Sequence, residues 1–418
     1  MMLFTHLTDS WLSKPYHHDW LEKESRRLMS FYRRSKHPDA GFAALDIHGE
    51  LPSDSQPDTM LTARMTHCFA IASLQGEPGA GALAQWGVEA LLGPLRDSEY
   101  GGWLEGKPEQ TPDGRKQAYL HVFVTLAALS ASLAGTKGAS QLLEQATSVI
   151  DNHFWSEEEG CLQESFNRQW QDPEDYRGGN SNMHATEMFV QLADVTGDSR
   201  WRQRALSIVT KIIHQHARAN HYLLAEHFTA QWQEWHEYNK DKPTDDFRPY
   251  GVTPGHACEW SRLLLHLEAA LLQHQETTPE WLLEDAKGLF EAGITYGWHA
   301  DGASGMIYTH DWQKKPVTQN RLHWTVAESC CTAASLLKRT GDMTYEKWYR
   351  TLWDYIANYL IDTRHGSWWH ELDANNQPSS VVWSGKPDLY HAWQLTLNSR
   401  LPLAPTLGTA VKAGLDRI

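Results

Sequence analysis

"YGVTPGHACEWSRLLLHLEAALL" runs from Tyr250 to Leu272. Leucine and alanine at helical spacing fill most of it, so it reads as a helix made for a core. Its first turn nevertheless carries His256 and Glu259, three residues apart and therefore neighbours on one helical face. An imidazole and a carboxylate at the head of a core helix raise the expectation of a polar hollow beside that end.

The same design recurs along the chain. Apolar helical periodicity marks "LTARMTHCFAIASL", "AYLHVFVTLAALSASL", "MHATEMFVQLADV", "VAESCCTAASLLKRTGD" and "DLYHAWQLTLNSRL". One-sided, amphipathic helices alternate with these, as in "GASQLLEQATSVIDNHF", "RWRQRALSIVTKIIHQHA" and "PEWLLEDAKGLFEAGI". Between them comes a short phrase: a Gly or turn, two or three apolar residues in extended style, then an acid. It occurs at Gly41–Asp46, Gly101–Gly106, Gly160–Ser165, His221–Phe228, Gly305–Asp311 and Gly366–Asp373. Intervals of about 60 residues mark a repeat fold. "VTGDSRW" and "RTGDMTY" share their punctuation, a glycine to end one helix and an aspartate to cap the next.

Six helix pairs close into a ring, with apolar helices inside and amphipathic ones outside. The expected fold is therefore an all-α (α/α)6 barrel, one catalytic domain over residues 1–418. An open superhelix would share the local pattern; the six-fold count and the lack of a capping repeat favour closure. The polar stretch Thr229–Gly255 is expected to be a long functional loop ahead of the fourth inner helix.

In a closed ring the inner helices run parallel and their N-terminal ends meet. Each carries a polar group near its start: Arg64, then Tyr119 and His121, His184 and Glu187, His256 and Glu259, Glu328 just after Trp324, and His391. Any one of these alone reads best as a satisfied core residue, and Tyr119 and His121 are left there. Burial of six polar groups at one phase of six repeats needs a common cause, and a functional cavity supplies it. The two HxxE spacings, 184/187 and 256/259, would also suit metal ligands. With no HExxH, cysteine pair or Asp-rich loop, no metal is expected. The other use of HxxE is a carboxylate that orients its imidazole, and Glu259 is expected to do this for His256.

Bulk composition narrows the partners. The net charge of −15 argues against nucleic acid. Twenty tryptophans suit a sugar-binding cavity, although core packing uses indoles too. The five cysteines form no disulfide or zinc spacing, no signal peptide opens the chain, and no apolar run reaches a membrane span. A cytoplasmic protein with no cofactor is expected; a homo-oligomer is left open.

Seven segments give the chain a resemblance to a known family: Leu61–Met65, Tyr100–Trp103, Tyr176–Glu187, Phe247–Trp260, Trp281–Phe290, Gly366–Asp373 and Lys386–His391. Together they resemble the N-acylglucosamine 2-epimerase superfamily, and within it the aldose–ketose isomerases that act on mannose or sulfoquinovose. The resemblance implies the (α/α)6 barrel, a monosaccharide substrate, a sugar contact at Arg64, histidines at His184, His256 and His391, and carboxylates at Glu259 and Glu328. Trp324, Asn180, Glu187, Arg248 and His370 complete the candidate substrate contacts. The sulfosugar isomerases carry glutamine where this chain has His370 and Pro387, which moves the expectation to mannose.

Such chemistry moves a proton between C1 and C2 through a cis-enediol, work suited to imidazole near neutral pH. His256 is expected to shuttle that proton, and His391 with Glu328 to open the ring; the exchange of these two roles fits the sequence equally. A sugar 2-epimerase, a glycoside hydrolase and a non-catalytic sugar-binding protein are the alternatives.

Overall fold

The computed structural model describes residues 9–417. In chain order its helices are α1 (Pro15–Tyr32), α2 (Thr59–Leu74), α3 (Ala80–Leu92), α4 (Ala118–Leu133), α5 (Ala139–Val149), α6 (Gly179–Thr196) and α7 (Arg200–Val209). They continue as α8 (Pro254–Gln273), α9 (Trp281–Gly297), α10 (His323–Thr340), α11 (Met343–Tyr355), α12 (Tyr390–Asn398) and α13 (Leu407–Lys412). The even-numbered helices up to α12 touch in sequence, α2 to α4 and onward to α12, and α12 returns to α2. The ring is closed, and the fold is an (α/α)6 barrel.

Burial separates the two layers. Along α4 every residue from Leu120 to Ala131 is buried, as a helix apolar all round requires. Its outer partner α5 buries Ala139, Leu142 and Ala146, a stripe at i, i+3 and i+7. The expected punctuation is present: Gly197 and Gly341 end α6 and α10 in the left-handed conformation. Asp198 and Asp342 then accept the N–H groups of Arg200 and Thr344.

One element was not anticipated. Helix α1, never read as part of the repeat, packs on α12 as its outer partner. The sixth hairpin is thus completed by the two ends of the chain. Its N-terminal half comes last in the sequence, so a repeat scan that pairs each inner helix with the outer helix that follows it cannot find it.

The recurring phrases pin the inner helices at their N-terminal ends. The first N–H groups of α2, α4, α6 and α10 donate to the carbonyls of Glu105, Glu164, Glu226 and His370, at 2.8–2.9 Å. Lys386 N–H, just before α12, donates likewise to Leu45, and Val252 pairs with His310 ahead of α8. These contacts satisfy donors that a helix N-terminus leaves open and bring the polar residue of each phrase to the same end of the barrel. No helix among the described residues is long and apolar enough to cross a membrane.

Candidate active site

All six inner helices contribute to one chamber at their N-terminal ends. Arg64, Tyr119, His184, His256, Trp324 and His391 line it, one from each helix, with Asn180 and Glu259 beside them. Register explains the convergence. Arg64, His184, Glu259 and Glu328 each stand five residues after the first residue of their helix, so they fall at one level around the barrel axis. The same position in α4 is Phe123, whose ring faces the Arg64 guanidinium at 4.3 Å.

Two imidazoles are backed by carboxylates. His391 Nδ1 donates to Glu328 at 2.8 Å. His256 Nδ1 donates to Glu226 at 2.9 Å, not to Glu259. That corrects the expected pairing: three residues along a helix brings two side chains to one face, but Glu226 reaches His256 from the phrase pinned to α6. With a carboxylate holding the Nδ1 proton, Nε2 is left for the chamber. Trp324 lies against both rings, with centroids 4.8 Å from His256 and 5.9 Å from His391. Gly255 makes room for it, since a Cβ there would sit 2.9 Å from the indole and 2.7 Å from Thr325.

Glu259 has a different role. Its Oε1 is 3.9 Å from His184 Nε2 and 3.7 Å from the Arg262 guanidinium. Burial and the adjacent Glu328 raise its carboxyl well above the usual range, which favours the protonated form. Glu328 is buried too, but Arg262 Nε at 2.9 Å and His391 outweigh that burial and keep it ionised. Glu259, Glu328 and His391 bring metal-ligand atoms within 4.8 Å of one another. The Arg262 guanidinium supplies positive charge beside that group.

His184 Nδ1 is 3.4 Å from Glu187, which also accepts from the Tyr390 hydroxyl. Burial, only partly offset by Glu187, lowers His184 to about 4, so it stands neutral in the wall. Glu187 lies behind His184 rather than in the chamber. Arg64 Nη2 donates to the Tyr119 hydroxyl at 2.7 Å, and Arg64 Nη1 faces Asp388 at 3.5 Å. Tyr119, left to the core by its sequence, is a wall residue. His121 is structural: it accepts Trp103 N–H at 3.0 Å and donates to the Gln117 carbonyl at 2.7 Å. Burial lowers it to about 3.

Besides Glu187, two more expected substrate contacts stand outside the chamber. Arg248 is held in a two-pronged pair with Glu174 at 2.7 and 3.1 Å and lies over Tyr176. It anchors the long loop so that its neighbours Asp246 and Phe247 line the chamber instead. His370 accepts Asp388 N–H at 2.9 Å and lies tilted against His323, with ring centroids 3.9 Å apart, so it supports Asp388 from behind.

A vestibule of about 310 Å³ leads to the chamber, and Arg64, Tyr119, Asp246, Phe247 and Trp383 belong to both. The chamber itself is about 20 Å³, room for about one water molecule. A ligand larger than water therefore reaches the histidines only when the shared wall yields. A larger cavity, about 530 Å³, lies between α1, α2 and α12 at the other end of the barrel, but no histidine lines it. The chemistry belongs to the smaller site. Buried polar atoms without a partner gather there: Arg64 Nε, Asn180 Oδ1, Glu259 Oε1 and Asp388 Oδ2. Such atoms are costly unless a ligand meets them, and a polyhydroxy compound offers both donors and acceptors.

Residues that the sequence did not single out include Glu226, Arg262, Asp388, Asp246 and Phe247, with Tyr308 and Trp383 in the chamber wall. Glu226 carried a signal, as the acid of one of the recurring phrases. Asp388 stood in the noted segment Lys386–His391. Arg262 looked like one more member of a core helix.

The family model for N-acylglucosamine 2-epimerase (GlcNAc 2-epimerase) matches residues 41–395. A D-mannose isomerase of Pseudomonas cannabina pv. alisalensis is 54% identical, over 98% of this chain and 99% of that protein. Another from Thermobifida fusca is 48% identical, over 96% and 98%. The crystal structure of a D-mannose isomerase superposes with a TM-score of 0.83 at 28% identity, covering 93% of this chain and 99% of that one. With its closed double ring and a match over most of its length, this chain belongs to the N-acylglucosamine 2-epimerase family.

Proposed function

We propose that this protein is an aldose–ketose isomerase that interconverts D-mannose and D-fructose. The observation that carries the reading is the pair His256 and His391, each backed at Nδ1 by its own carboxylate and both flanking Trp324 in one chamber. The relatives named D-mannose isomerase, at 54% and 48% identity, support it.

His391 takes the proton of the anomeric hydroxyl, the bond from C1 to the ring oxygen breaks, and the imidazolium hands that same proton to the ring oxygen; Glu328 balances the imidazolium in between. His256 then removes the proton on C2 through Nε2. The electron pair moves through C1 to its oxygen, which Arg64 and the protonated Glu259 stabilise by donation. The O2 proton passes to O1 across the cis-enediol, His256 returns its proton to C1, and the ketose results. Glu226 holds the charge that forms on His256. All five cysteines are unpaired and buried, which supports a reducing compartment.

The test is fructose formation from mannose by purified His256→Ala and His391→Ala variants. General acid–base groups contribute about 10²–10⁴-fold, and a loss in that range is expected for each. A variant with near wild-type kcat would remove that residue from the mechanism. In D₂O some deuterium should enter the product. Glucose as sole product would replace the isomerase reading with an epimerase one.

A further inference from the structure

We propose that the vestibule is an electrostatic filter in which Asp58, Glu105 and Asp246 turn away sugars bearing a phosphate or sulfonate and leave the site to neutral monosaccharides. This rests on the isomerase reading of the chamber. It adds residues that decide which sugars arrive.

Four carboxylates line the vestibule: these three and Asp388. Arg64 is the one cation among its lining residues, and Arg64 is already answered by Asp388 at 3.5 Å. Three negative charges are therefore left unbalanced in a cavity of about 310 Å³. The walls between them are partly apolar, with Leu61, Leu120, Phe247 and Trp383, which focuses the field along the path, while Glu105 and Asp246 stand exposed at its mouth where salt can screen them. The carboxylates act on one another. Burial, with Glu105 adding to it, holds Asp58 up at about 6, so it is still largely ionised at neutral pH. Burial together with Asp245 and Glu105 raises Asp246.

A second observation places a ligand on this path. Arg64 and Asp388 have side chains 2% and 1% exposed and carry unpartnered buried atoms, Nε and Oδ2, at the vestibule floor. Hydroxyl groups satisfy such atoms. An anionic group approaching them crosses the three carboxylates first, and among the described residues no lysine or second arginine lines the vestibule to receive it.

The experiment uses the intact protein. Turnover of mannose is compared with inhibition by mannose 6-phosphate and with turnover of sulfoquinovose, at low and high salt. In the wild type, mannose 6-phosphate should inhibit weakly, and more strongly as salt screens the repulsion. The Glu105→Gln/Asp246→Asn double variant should bind mannose 6-phosphate about tenfold more tightly relative to mannose, with a flattened salt dependence. Glu105→Gln alone should move the ratio about threefold. The ratio divides out any change in the neutral reaction. An unmoved ratio, or wild-type turnover of sulfoquinovose equal to that of mannose, overturns the filter. Failure of the wild type to turn over mannose would instead overturn the isomerase reading. The filter would then be judged by direct calorimetric binding of mannose against mannose 6-phosphate.

Discussion

The His256 side of the chamber and the His391 side are built differently. Glu226 reaches His256 from an extended phrase, and His256 is its one ion-pair partner among the described residues. Glu328 reaches His391 from the neighbouring helix, and its other oxygen is held by Arg262 at 2.9 Å. On the first side the full carboxylate charge faces the imidazole. On the second it is shared with a guanidinium. A proton on carbon is harder to remove than one on a hydroxyl, so the side with undivided charge is the better place for an imidazolium formed by carbon deprotonation. This favours His256 for the C1/C2 transfer and His391 for ring opening.

The most severe way to break that comparison is to remove the imidazoles. His256→Ala should abolish deuterium incorporation from D₂O as well as cutting kcat about 10³-fold. His391→Ala should cut kcat for mannose comparably, but less for a substrate locked in the open-chain form. If the open-chain substrate rescues His256→Ala instead, the two roles are reversed.

Next in size are the carboxylates. Glu226→Gln keeps the shape and removes the charge, and a loss of about 10²-fold in kcat is expected. Glu259→Gln, which keeps the shape and leaves an amide donor at the same place, should cost less than about tenfold. A larger effect at Glu259 than at Glu226 would restore the pairing expected from the helix spacing.

Arg262→Gln sharpens the other side. The guanidinium keeps Glu328 ionised against burial, so its loss raises the Glu328 carboxyl. The acid limb of kcat should then move to higher pH, while at its plateau kcat falls about tenfold. An acid limb that stays in place would mean that the shared charge has no part in the reaction.

The smallest expected change is at Gly255. In Gly255→Ala the new Cβ crowds Trp324 and Thr325, so the platform common to both imidazoles must shift. A rise in KM of a few-fold with a smaller change in kcat is expected, measured by steady-state kinetics on mannose.

Much of the architecture was legible along the chain. Burial repeats with the helical period, so "HACEWSRLLLHLEAALL" declares an inner helix and "GASQLLEQATSVIDNHF" an outer one without further information. Arg64, His184, Glu259 and Glu328 stood out because a charged or titratable group on such a helix is conspicuous. Arg248 and His370 show the limit of that reasoning. Both lie in segments shared with the family, yet one is spent on Glu174 and the other supports Asp388. A segment identifies a neighbourhood, and only packing says which of its side chains face inward.

The chain by itself determined the period, the two classes of helix and the end of the barrel at which polar groups collect, because these follow from interactions within a few residues. Tertiary structure alone decided that α1 completes the ring with α12, that Glu226 rather than Glu259 holds His256, and that Arg262 divides its attention between Glu259 and Glu328. The reason is distance along the chain. The His256–Glu226 bond joins residues 30 apart and the His391–Glu328 bond residues 63 apart. A hydrogen bond exists only within about 3 Å, and that closeness is fixed by how helices close around an axis.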